Sequence, residues 1–453
     1  MKLRLLLASA LLAPFLFPAC GHAADPPTAA AAVSTWKVGD PIVSYWAGPG
    51  FPGGLGGDLT DTAATQLKEG GWNLVWCREN ELDVAHRHGL RGMISSDLLN
   101  PATLDDPKKR EALDALISRV SRHPAFYTYH LTDEPSAAAF PAIGRLVAYL
   151  RERDPAHLGY INLLPTYANN GQLGTPGGTV EAYNGHLRQF VETVRPALLS
   201  YDHYQFTNTG DQPDYFLNLS LIREKARASG LPFMNIVQAS AWGPTPLASP
   251  QGPRVPVPEE MRYLVYTTLA YGAQGISYYV YCYPQHLGGI ARPDGTTTPL
   301  YDALKSLNPE FVSIARELQP LRPLAIHHAG MRLPGTVPPP ADSVFTFDPP
   351  VPALDYKPGD RVQGVLISQF GPAEKPDAAP AAPAANAGSE AVRVTHLMVV
   401  NLDYKTERAI TLRAPASLEV FDAAKAQWLP ASGSSRAQLH LPGGGGKLLR
   451  LRP

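Results

Sequence analysis

Cysteine is scarce in this chain: three residues in 453, and one of them, Cys20, falls in the N-terminal leader. Cys77 and Cys282 lie in apolar, strand-like runs, where two buried free thiols are the commoner state and one disulfide the alternative. Neither has metal-ligand spacing, so no structural zinc site and no bound metal is expected. Charge of one sign is missing as well. With 39 Lys+Arg against 40 Asp+Glu the formal net charge is −1, which argues against nucleic acid and against an anionic membrane surface as partner. The apolar run 5–17 is too short to span a bilayer, so no transmembrane helix is expected. A dinucleotide fingerprint is also lacking. "GPGFPGGLGG" (48–57) has the glycines but no strand-tight GxGxxG opening a helix; it reads as a loop over the mouth of the fold. No cofactor is expected, and nothing sets the oligomeric state.

What is present begins with a targeting segment. Lys2 and Arg4 precede the apolar run, a pattern of export. Two processing routes stay open: cleavage near Gly21-His22-Ala23, leaving a soluble periplasmic or extracellular protein, or lipid attachment at Cys20 after Phe17-Pro18-Ala19. The expectation is a signal peptide over 1–23 and a structureless leader over 24–38.

From about residue 40 the chain alternates. Strand-like runs at 41–46, 72–77, 90–95, 125–131, 158–164, 197–204, 232–238 and 275–281 are each followed by a helical stretch. Eight βα units in about 280 residues fit a closed (β/α)8 barrel over 39–322 better than an open doubly wound sheet. After about Pro323 short β-like runs dominate, as in "VLISQF" and "THLMVVNLD", and a small β-sandwich over 323–453 is expected. Its Ala/Pro-rich insert, 371–391, holds too little apolar surface to fold.

Active sites of such barrels lie at the C-terminal strand ends. The residues there are Tyr45 and Trp46; Arg78, Glu79 and Asn80; Asp97; Asp133 and Glu134; Asn162 and Tyr167; Tyr201, Asp202, His203 and Tyr204; Gln238 and Trp242; and Tyr279, Tyr281 and Tyr283. Aromatic faces stack on sugar rings, and carboxylates and amides bond hydroxyls, whereas a phosphate site would want Arg/Lys and a glycine nest. The mouth therefore reads as a carbohydrate site.

The fourth strand ends Asp133-Glu134-Pro135, which resembles the Asn-Glu-Pro ending of clan A glycoside hydrolases, where the Glu is the general acid/base. "EEMRYLVYTTLAYGAQGISYYVY" (259–281) is similar to the seventh helix and eighth strand of family 42 β-galactosidase-like proteins. The resemblance implies a glycoside hydrolase with Glu134 as acid and Asp133 as its neighbour. Two departures stand out: Asp133 replaces Asn, and Gln238 stands where clan A has its nucleophilic Glu. Gln cannot form a glycosyl ester. Inversion would need a base, for which Asp202 is the candidate. Adjacent Asp-Glu also resembles family 20 hexosaminidases, and "SYDHY" (200–204) the Tyr-Asp pair of family 18 chitinases, which would imply assistance by a 2-acetamido group. Glu79 or Asp97 is a third source of a nucleophile. Tyr45, Trp46, Arg78, Glu79, Asn162, Tyr201, His203, Tyr204, Gln238, Trp242 and Tyr281 are the expected substrate contacts. Against all of this, Asp-Glu-Pro ahead of a helix is also ordinary helix-start chemistry. A binding barrel that has lost its nucleophile is the rival from another class.

Overall fold

The computed structural model describes residues 33–48, 58–242, 252–372 and 394–452. The GPG loop from residue 49, the leader before residue 33 and most of the Ala/Pro-rich insert lie outside the described residues.

Eight parallel strands form one sheet: β1 (Ile42–Trp46), β2 (Leu74–Cys77), β3 (Arg91–Ile94), β4 (Phe126–Asp133), β5 (Leu158–Leu163), β6 (Leu199–His203), β7 (Phe233–Gln238) and β8 (Gly275–Tyr279). Their order is β1-β8-β7-β6-β5-β4-β3-β2, and helices from Asp61–Glu69 to Pro299–Leu318 follow the strands in turn. This is a (β/α)8 barrel, as the alternation implies.

The seam between β1 and β2 is closed mainly by side chains. Asn73 Oδ1 accepts from the Val43 amide at 2.9 Å, Asn73 Nδ2 donates to the Pro41 carbonyl at 2.9 Å, and the Asn73 amide donates to the Val43 carbonyl at 3.1 Å. The indoles of Trp72 and Trp76 donate to the Ser44 and Tyr45 carbonyls at 3.1 and 2.8 Å. A last pair of strands left unpaired would bury orphan amides, and these donors and acceptors satisfy them.

Alternation along each strand splits the core in two. Ile42, Leu74, Met93, Leu158, Tyr160 and Met234 fill the barrel interior. Tyr45, Val75, Tyr129, Ile161, Tyr201 and Val237 pack outward under the helices. Trp36 and Val38 join the interior cluster, with Val38's carbonyl held by Tyr127 Oη at 2.7 Å. This corrects the expected structureless leader: its last residues bury apolar surface at the barrel's base.

Downstream of Leu318 two sheets stack. One has seven strands, including Leu321–Arg332, Gly364–Pro372 and Gly446–Arg452; the other has three, Thr346–Asp348, Arg408–Arg413 and Arg436–Leu441. Val365, Ile367, Val399, Leu412, Leu439 and Leu449 lie between them. The sandwich is joined to the barrel through the same apolar cluster that lies under the helices, since Leu366, Phe370 and Tyr404 belong to it. Asp211, on the loop after β6, accepts from Tyr404 Oη at 2.8 Å and from the Val362 amide at 2.9 Å. Cys77 and Cys282 are free and buried.

Asn73→Ala should lower stability by about 2–3 kcal/mol, because it strips two buried main-chain partners at the seam. Urea denaturation should show a lower midpoint with an unchanged m-value.

Candidate functional site

The distinctive backbone of the site is at the end of β4. The β4–β5 register shifts between His130 and Thr132, an irregularity that changes which side chains face inward beyond it. Asp133 then pairs with Asn162. Glu134 follows in the left-handed region, with φ 45°, while its amide donates to the Asn162 carbonyl at 2.9 Å. A bulky residue before proline held there carries strain on the order of 1–3 kcal/mol, a cost typical of functional positions. The helix-start reading fails: Phe140–Arg153 is preceded by a turn at Ala137–Ala139, and neither carboxylate caps it.

Both carboxyls line a cavity of about 420 Å³ at the C-terminal strand ends, together with Trp46, Asn162, Asp202 and Tyr204. Asn162 is the hub. Its Nδ2 donates to Asp133 Oδ1 at 3.1 Å and to Asp202 Oδ1 at 2.9 Å, and its Oδ1 accepts from Ser200 Oγ at 3.2 Å. Ser200 in turn bonds Tyr160 Oη at 2.8 Å. This chain fixes the amide's orientation, so that its two N–H groups must point at the carboxylates.

The remaining contact is between acids. Glu134 and Asp202 are near enough to shift each other's titration, while Asp202 Oδ2 is buried without a hydrogen-bond partner, so the two carboxyls do not ionise together readily. Asp202 is 1% exposed, and burial, then the charge of Glu134, hold its pKa well above the usual carboxylate range. Asp202 is therefore the acid of the two that gives up its proton less readily. Glu134 is itself raised, mainly by desolvation, with its neighbour Asp202 opposing. Asp133 is pushed up to about 6 by desolvation and by Glu134, against the bond from Asn162. Asp133 and Glu134 are open to solvent at the mouth, yet the cleft walls crowd them enough to disfavour charge. The arrangement presents a raised carboxyl to a cavity floored by aromatic rings, which suits proton delivery to a bound group.

Asp202 lines the same cavity as Glu134, and an inverting pair would stand about 6.5–9.5 Å apart to admit water. Its Oδ1 is bonded to Asn162 rather than to Arg78 or His203.

Of the expected contacts, Trp46, Asn162 and Tyr204 line the cavity. Tyr45, Tyr201 and Tyr281 do not: all are fully buried among the outward-packing residues, with Tyr45 Oη accepting from the Trp76 amide and Tyr281 Oη donating to Gln66. His203 shares the outward parity of Tyr201; its Nδ1 meets Asn218 Oδ1 at 3.1 Å, and its ring supports Tyr167 at 5.1 Å. Arg78 and Glu79 face a neighbouring cavity of about 1020 Å³ that also holds Asp97 and shares Trp46. There Arg78 pairs with Asp58, and Glu79 with Arg119, so neither Glu79 nor Asp97 reaches the carboxyl cluster as a nucleophile. Trp242 ends a short strand, Ser240–Trp242; its side chain is outside what the structure describes.

Gln238 is the sharpest correction. It is fully buried, and its amide is consumed by main chain. Oε1 accepts from the Phe206 amide at 2.8 Å; Nε2 donates to the carbonyls of Phe206 at 2.9 Å and Arg254 at 2.5 Å. It staples the loops after β6 and β7 rather than facing a ligand. Tyr167, Tyr279, Gln172 and Pro253 were not among the expected contacts and do line the cavity. Tyr167 and Tyr279 are at strand ends, where they were legible; Gln172 and Pro253 arrive on loops, for which periodicity carries no signal.

Among the described residues no group of three His, Cys, Asp or Glu could hold a metal ion, and no helix is long and apolar enough to cross a membrane.

No family model matches the chain, and no curated protein matches it. Solved structures similar to it are glycoside hydrolases with barrel folds. They include a Bifidobacterium dentium β-glucuronidase (12% identity, 59% of this chain, 46% of that one, TM-score 0.43). A putative α-L-fucosidase from Bacteroides thetaiotaomicron matches at 9% identity over 64% of this chain and 100% of that one, TM-score 0.40. A putative α-galactosidase from Bacteroides fragilis matches at 9% identity over 91% of this chain and 79% of that one, TM-score 0.45. The chain thus spans about half the length of the β-glucuronidase.

Two outcomes test the site's electrostatics. Asp133, raised in the folded state, binds its proton more tightly there than in the unfolded chain. Its contribution to stability is complete below the ordinary Asp value and is lost as pH rises through about 6. Asp133→Asn should flatten that part of a Tm-against-pH curve. Gln238→Glu replaces the Nε2 donor with a carboxylate oxygen facing the Phe206 and Arg254 carbonyls, and should lower stability by about 3 kcal/mol or more in urea denaturation.

Proposed function

We propose that this protein is a glycoside hydrolase acting on O-glycosidic bonds, with Glu134 as general acid. The observation that carries the reading is the strained Glu134 at the end of β4, its carboxyl in an aromatic-walled cavity and raised by desolvation. A carboxyl that desolvation makes hold its proton more tightly than usual can hand that proton to a leaving glycosidic oxygen as the bond to the anomeric carbon breaks. Asp202, buried and holding its proton tightly, keeps the pair from ionising together. Trp46, Tyr167, Tyr204 and Tyr279 offer rings and hydroxyls to the sugar. The leader supports export, with lipid attachment at Cys20 as one of its two forms.

A second reading is favoured by one fact: among the described residues Asp133, Glu134 and Asp202 are the acids lining the cavity, and Asp202 is buried, with its pKa held well above the usual carboxylate range. A buried Asp202 that holds its proton is a poor nucleophile or base, and in this reading the attacking group comes from the substrate. A 2-acetamido oxygen would close on the anomeric carbon while Asp133 holds the amide N–H. The clan A likeness, family 42 included, then describes the scaffold and the acid and leaves out the nucleophile.

Glu134→Gln should abolish turnover, by about 10³-fold or more, with an unchanged melting curve. Near-normal activity would sink the assignment. Paired aryl glycosides with a 2-hydroxyl or a 2-acetamido group separate the two readings. Calorimetric glycan binding by the wild type without any hydrolysis would instead establish a carbohydrate-binding barrel.

A further inference from the structure

The opposite end of the barrel holds a larger cavity, of about 1110 Å³, among the segments that precede the strands. Residues 33–39, Pro196 and Ala197 ahead of β6, Pro232 ahead of β7, Gln274 ahead of β8, and the start of Leu321–Arg332 enclose it. Its walls carry Lys37, Arg151, Arg195, Arg223, Arg227 and Arg322, and no carboxylate is among its described lining residues. In a chain of net charge −1 that is a strong local asymmetry.

The cations are placed as a site would place them. Arg151 Nη2 donates to the main-chain oxygen of Arg195, which brings the two residues together. Arg151's pKa is lowered first by burial and then by Arg195. Arg223 Nη2 donates to the Pro323 carbonyl at 3.1 Å, and its Nε is buried without a hydrogen-bond partner. Burial lowers it too; Arg227 repels it and the neighbouring Glu224 partly offsets this. Desolvated guanidinium with an unmet N–H is unfavourable alone, and an oxyanion relieves both the repulsion and the unmet donor. The floor is apolar, formed by Trp36, Leu231, Phe233 and Leu321.

We propose that this basal cavity is a binding site for phosphate groups, filled by a soluble polyphosphate or by phosphodiester headgroups. Guanidinium forks match phosphate oxygens in pairs, and the volume exceeds that of a single anion and fits a ligand with several. The site lies at the other end of the strands from Glu134, so it acts independently of the hydrolytic reading.

The test uses the full chain and the double variant R195Q/R227Q, whose replaced side chains are both exposed. Calorimetry with inorganic tripolyphosphate reads the soluble ligand. Co-sedimentation with phosphatidylglycerol-containing vesicles, against pure phosphatidylcholine, reads the headgroup. The wild type should bind one of the two probes in a salt-sensitive manner, and the double variant should bind it about tenfold more weakly or worse. Arg223→Lys, which keeps the charge and loses the fork, should fall between. If neither probe binds above its control, or if wild type and double variant bind alike, the proposal is overturned.

Discussion

One carboxamide organises the mouth of this barrel. Asn162 has two N–H groups and spends both on carboxylates, Asp133 and Asp202, while a third acid, Glu134, leans on Asp202. Three negative charges cannot share so small a space away from water. Two donors from one amide do not neutralise them, so at least one proton is retained. The depth of burial decides where: the inaccessible Asp202 holds it more tightly than the solvent-facing Glu134. The register shift in β4, the left-handed Glu134 and the Ser200–Tyr160 relay all serve to hold this amide and these acids in place.

The two ends of the strands solve opposite electrostatic problems. At the C-terminal end acids are gathered and kept from ionising together. At the N-terminal end guanidinium groups are gathered with main-chain carbonyls rather than carboxylates as partners. Net charge near zero averages over both and reports neither, which is why composition pointed away from nucleic acid and from an anionic membrane surface.

The barrel was legible because its signal is repeated eight times. Strand ends found by alternation fall within a few residues of the observed ones, and the sandwich follows from the loss of helical period. Glu134, Asp133, Asn162, Trp46 and Tyr204 were found because strand ends are where side chains meet. The errors have one main cause. Tyr45, Tyr201, His203 and Tyr281 sit in the right segments but point toward the helices, and a one-residue difference in parity separates them from Trp46, Asp202 and Tyr204. The irregularity in β4 adds a shift of parity that no local pattern announces. Gln238 failed differently: its position is right, but loops brought from elsewhere in the chain closed over it. Trp36 and Val38 were missed because a plug under a barrel has no period at all.

Gln238 also ties regions that look separable. The loop it grips at Arg254 is pinned again by the bidentate Arg254–Glu260 pair, at 2.7 and 2.6 Å. The loop it grips at Phe206 runs on to Asp211, which the sandwich holds through Tyr404 and Val362. Pro253, beside Arg254, is a wall of the carboxyl cavity. The sandwich is therefore part of the scaffolding of the mouth, and a lineage could not exchange it for another module without reshaping what the cavity accepts. Recombination, in this architecture, would be a change of specificity.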